Sequence, residues 1–138
     1  MHEFRSVILS TILFLCVTPT VMAQTNVVVL EDNTDVTVKD AVMMSISRHC
    51  TVKILNEKGS DCASFDTQCS KGDKLVNFSG CVIDEAGKVL RKIKKSDLQV
   101  SAYSKEMATD AVTMFFDYTT PTYPIIVTYD WEEEISEG

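Results

Sequence analysis

The chain has 138 residues, of which 20 are acidic and 13 basic, giving a formal charge of −7, and 45% are hydrophobic. This length suits one domain behind a targeting segment. An acidic chain lacks the clustered Lys and Arg on which affinity for nucleic acid or an anionic membrane surface depends, so neither is expected as a partner.

The chain opens like a signal peptide over residues 1–23. Arg5 supplies a positive n-region, Val7 to Val17 an apolar h-region, and Val21-Met22-Ala23 a small-residue cleavage pattern before Gln24. The apolar run is shorter than the roughly 20 residues a spanning helix needs. The reading is therefore an exported protein of the periplasm or cell envelope, with no stable membrane insertion after cleavage. Residues 24–138, about 115 in number, form a single domain of the commonest size.

Two short strands are expected first, Asn26 to Leu30 and Asp35 to Val38, separated by Glu31-Asp32-Asn33-Thr34. Arg48 to Leu55 is rich in β-branched residues and ends in Asn56-Glu57-Lys58-Gly59-Ser60. Gly59 there is expected to take the positive φ of a tight hairpin. Ser70-Lys71-Gly72-Asp73 reads as a second connection. A strand over Leu75 to Ile83 then turns at Asp84-Glu85-Ala86-Gly87 into Lys88-Val89-Leu90. The basic run Lys88 to Lys95 reads as a strand with cationic side chains on a solvated face.

From Ser96 to Asp110 the pattern is weakest, with a helical turn expected around Lys105 to Ala108. The last strand is the clearest. In Tyr123 to Trp131 the odd positions are apolar or aromatic, while Thr128 and Asp130 are polar, the alternation of a strand with one buried face. Glu132-Glu133-Glu134 beyond it reads as a solvated terminal run. No long segment has a 3.6-residue period, so the expected fold is all-β, an antiparallel meander in a sandwich-like domain.

Four cysteines remain after cleavage, and an even number in an exported chain points to disulfides, with three possible pairings. A hairpin turned about Lys58-Gly59 sets Cys50 opposite Thr67 and diagonal to Cys69. A connection centred on Lys71-Gly72 sets Cys62 opposite Cys81. The ranked pairing is thus Cys50 with Cys69 and Cys62 with Cys81, ahead of a local Cys62 to Cys69 loop; a register slip of one residue reverses the faces.

His49 and Cys50 invite a nucleophile reading, but adjacent strand residues point to opposite faces, so the imidazole cannot reach the thiol. No two cysteines have the close spacing of a structural zinc site, and no glycine-rich phosphate loop occurs. No catalytic residue, metal or cofactor is assigned. Asn77-Phe78-Ser79 fits a glycosylation acceptor, an accidental match within a strand. The stripe Tyr123, Tyr129 and Trp131 would suit sugar stacking if exposed and a core if buried.

The segments "VKILNEKG" (Val52 to Gly59), "FSG" with "IDEAGKVLRKIKKSDL" (Phe78 to Gly80, Ile83 to Leu98) and "YPIIVTYDWE" (Tyr123 to Glu132) together resemble a domain of unknown function. In exported bacterial proteins that domain precedes a transglutaminase-like domain. The resemblance runs from about Val27 to Glu134. It implies an antiparallel β domain of the envelope with no catalytic residues of its own, and a chain that stops before the family's last strands, as a truncated or stand-alone copy would. Two functions follow as expectations: a non-catalytic module that binds another protein through an exposed β edge, or a glycan-binding module using the aromatic stripe.

Overall fold

The structure is a computed structural model that describes residues 24–102 and 111–137. The expected signal peptide and the helical turn at Lys105 to Ala108 lie outside the described residues. Eight strands occur among those described: β1 Val27–Val38, β2 Met43–Ile54, β3 Phe65–Cys69, β4 Lys74–Asp84, β5 Val89–Lys94, β6 Gln99–Ala102, β7 Val112–Phe116 and β8 Ile125–Ser136. They form two antiparallel sheets, one of five strands in the order β1-β2-β8-β4-β5 and one of three in the order β3-β7-β6. The expected all-β, sandwich-like class is the one observed.

The core lies between the sheets. Alternation on β2, β8 and β4 turns Ile54, Ile125, Val127 and Val82 inward, all at most 1% exposed. Phe65 of β3 meets them from the other sheet, its ring centroid 4.6 Å from Phe78, 5.4 Å from Tyr129 and 5.1 Å from Trp131. Val112, Met114 and Phe116 of β7 pack against the same cluster. Rings at these separations hold the two sheets together through both contact area and edge-to-face geometry.

Two turns form as expected: Gly72 and Gly87 have φ of 92° and 88°, values that suit glycine. The Gly87 amide donates to the Asp84 carbonyl at 3.1 Å and the Asp73 amide to the Ser70 carbonyl at 3.0 Å.

Several expectations are corrected. β1 is one strand through Glu31 to Thr34, because β2 lies beside it along its whole length. Asp32, Asn33 and Thr34 face Cys50, His49 and Arg48, and an irregularity between Val29 and Glu31 absorbs the extra residue. Backbone pairing overrides the weak strand preference of Asp and Asn.

The segment after β2 is a 3-10 helix, Glu57–Ala63, not a hairpin turn; the Asn56 side chain accepts from the Lys58 amide at its start. Gly59 serves close approach instead of positive φ: a Cβ there would sit 2.6 Å from Val27 Cγ2 and 2.7 Å from the Asn26 carbonyl oxygen. The connectivity is also not a meander from β2 onward. β2 pairs with β1 and β8, and β3 crosses into the second sheet to pair with β7. Finally, Glu132 to Glu134 are not a terminal run but part of β8, between β2 and β4 in the middle of the five-stranded sheet.

Candidate functional site

The five-stranded sheet has an inner face against β3, β6 and β7 and an outer face turned away from them. Cross-strand register organises the outer face into rows. One runs Asn33, His49, Asp130, Ser79, Lys94 across β1, β2, β8, β4 and β5. Within it His49 Nδ1 bonds the Asp130 carboxylate, and Nε2 lies 3.3 Å from Glu31 Oε2 and 3.3 Å from Thr51 Oγ1. The hydrogen bond to Asp130, then the charges of Asp130 and Glu31, raise the His49 pKa above its usual value despite some desolvation.

In the next row Glu132 accepts from Ser45 Oγ at 2.6 Å and from Asn77 Nδ2 at 3.0 Å. These bonds hold its carboxyl below the usual range. A cleft of about 470 Å³ opens over these rows, with Asp35, Ser47, His49, Asn77, Asp130 and Glu132 among its lining. Its walls offer carboxylates, amides and hydroxyls in hydrogen-bonding positions. Among the described residues no group of three or more His, Cys, Asp or Glu is arranged to hold a metal ion.

His49 and Cys50 point to opposite faces as alternation requires. His49 joins Asp130 outside, whereas Cys50 sits in the inner row between Asp32 and Tyr129. Burial, followed by the Asp32 carboxylate and the Cys62 thiol, pushes the Cys50 thiol up, away from the thiolate a nucleophile requires.

The four cysteines among the described residues are free thiols: Cys62 exposed, Cys69 buried, Cys50 and Cys81 between. The registers behind the two ranked pairings do not exist. Cys69 faces Val112 in the second sheet, Cys81 faces Lys92 and Thr128 on the outer face, and Cys62 lies in the 3-10 helix.

The aromatic stripe is core, not platform. Tyr129 is 6% exposed and its hydroxyl donates to the Ala63 carbonyl at 2.5 Å; burial pushes its pKa up. Trp131 is half-buried with its ring set edge-on to Phe65, and Tyr123 packs half-buried against the same cluster. The stripe therefore does not form a continuous exposed face: Tyr129 is enclosed, and Tyr123 and Trp131 are each half-covered.

The outer-face cluster was not visible in the sequence. Its signal was present in part, since His49, Thr51, Thr128 and Asp130 are the polar members of alternating strands. Joining them needs the β2 to β8 pairing, and His49 and Asp130 are 81 positions apart.

The five-stranded sheet ends in two edge strands, β1 and β5. Neither β1 nor β5 has a second strand partner among the described residues. β1 exposes Val29 (61%), Leu30 (52%), Val36 (57%) and Val38 (73%). Large apolar side chains along a 12-residue edge make a template for a further strand. A scan against protein-family models, a search of curated proteins and a search of solved structures each return no match.

Proposed function

We propose that the chain is a non-catalytic, exported β module of the bacterial cell envelope that binds protein by strand addition at β1. The observation that carries this reading is β1 itself, twelve residues long, paired on one side only among the described residues and lined with exposed Val and Leu. Strand addition derives affinity from backbone hydrogen bonds and specificity from alternate side chains. The charged residues on β1 would select among partners by sign. The signal-peptide pattern of residues 1–23 and the resemblance to the domain that precedes transglutaminase-like domains support export and an accessory role.

The test is site-specific photo-crosslinking in the producing cell. A probe at Val36 on β1 is expected to capture a protein partner, and a probe at exposed Lys58 in the 3-10 helix is not. Equal capture at both positions, or none at Val36, rejects the reading.

A second reading, glycan binding, moves from the aromatic stripe to the outer-face cleft, whose polar lining suits a polyhydroxylated ligand. Glycan-array binding that His49→Ala and Asn77→Ala both abolish would support it. Binding unchanged by both substitutions would reject it.

A further inference from the structure

We propose that copies of this chain join head to tail, the basic edge β5 of one copy lying beside the acidic edge β1 of the next, so that the five-stranded sheet continues from molecule to molecule. The proposal rests on the reading of β1 as a docking edge and names its occupant, a second copy.

Direction comes first. Every neighbouring pair in the order β1-β2-β8-β4-β5 is antiparallel. The first and fifth strands therefore run the same way. A translation across the sheet keeps all outer faces on one side and sets β5 parallel to the next copy's β1, a slightly weaker pairing than antiparallel but a regular one.

Register agrees with this placement. Followed across all five strands, the outer row that starts at Val28 ends at Val89. The row starting at Glu31 ends at Lys92, and the one starting at Asn33 ends at Lys94. Translation along the rows thus brings Val89 beside Val28, Lys92 beside Glu31, and Lys94 beside Asn33, diagonal to Asp35. Irregularities at Leu30 on β1 and at Leu90 on β5 give both strands the same spacing between the first two rows. The match therefore survives the bulges. Val28 and Val89 are both exposed, at 38% and 47%, so apolar surface meets apolar surface.

Charge selects this contact over the alternatives. β1 carries Glu31, Asp32 and Asp35 and no basic residue; β5 carries Arg91, Lys92 and Lys94 and no acidic one. Asp32, Asp35, Lys92 and Lys94 have no ion-pair partner among the described residues. Pairing β1 with β1, or β5 with β5, sets like charges side by side, whereas β5 against β1 sets opposite ones together. The charges that guard each edge against its own kind thus attract it to the other. Such a contact is heterologous, and under translation it does not close, so the product is an open chain, not a dimer.

Sedimentation velocity on the purified chain tests the proposal. In low salt the average mass should rise with concentration past the dimer without a plateau. In molar salt, where the screening length falls to about 3 Å, association should weaken at least tenfold. Glu31→Lys/Asp35→Lys and Lys92→Glu/Lys94→Glu should each remain monomeric. An equimolar mixture of the two variants should assemble again, because the mixture offers one native and one reversed charge pair at alternating contacts.

A wild-type chain that stays monomeric in low salt overturns the proposal whatever the variants do. So does a plateau at the dimer, or a mixture of folded variants that stays dispersed. If the wild type is monomeric while Val36 still crosslinks to another protein, self-assembly falls and the docking edge stands.

Discussion

Single side chains on the central strand β8 act on both faces of the sheet. Tyr129 occupies the inner face and spends its hydroxyl on the Ala63 carbonyl at the end of the 3-10 helix. Tyr129→Phe leaves that carbonyl without its donor, and the expected loss is about 1–3 kcal/mol in denaturant unfolding; no loss would mean water replaces the bond. Asp130 points outward to His49. His49 is faced by Asp130 from β8, Glu31 from β1 and Thr51 from its own strand.

The raised His49 pKa means that folding favours the protonated ring. The resulting stability is fully present below the unfolded value of about 6.5 and is lost as pH rises through the folded value. The melting-temperature gap between wild type and His49→Asn should therefore be widest on the acid side and shrink above that value. A gap constant with pH would dismiss a charged His49.

At the scale of elements, the segment from Asn56 to Ser64 shows why a turn-like sequence need not make a hairpin. Asn56 caps a 3-10 helix, which lies so close to the start of β1 that the space at Gly59 is closed by Val27 and the Asn26 carbonyl. Gly59→Ala must displace backbone as well as a side chain, and an expected cost of about 1–3 kcal/mol can be read from thermal or urea unfolding. The same helix carries exposed Cys62, while Cys69 is buried in β3 and its thiol is pushed up chiefly by burial. A thiol reagent should therefore modify Cys62 in the native protein and Cys69 only on unfolding. Equal rates, or a peptide joining Cys62 to Cys81, would contradict this arrangement.

Across the whole molecule, Phe65 ties the second sheet to the first through ring contacts with Phe78, Tyr129 and Trp131. Phe65→Ala should cost about 3–5 kcal/mol, more than Trp131→Ala, because Trp131 is only half-buried. A reversed order in chemical denaturation would place the inter-sheet anchor elsewhere. Outside this core the five-stranded sheet presents one acidic edge, one basic edge and an outer face with a polar cleft, and the proposed interactions all use that surface.

Period-two alternation in β8 and β2 was enough to specify strands, their buried faces and the separation of His49 from Cys50, because the side-chain period of extended backbone is local. Turn chemistry at Gly72 and Gly87 was legible for the same reason. Which strands pair is another matter. β8 sits between β2 and β4, and β3 leaves for the second sheet, through contacts between residues far apart in the chain. Those contacts merged the two expected strands into β1, drew Glu132 to Glu134 into the sheet centre and freed the cysteines from their expected partners. Long-range pairing is decided by which faces can be buried together, a property of the assembled molecule that no single segment carries.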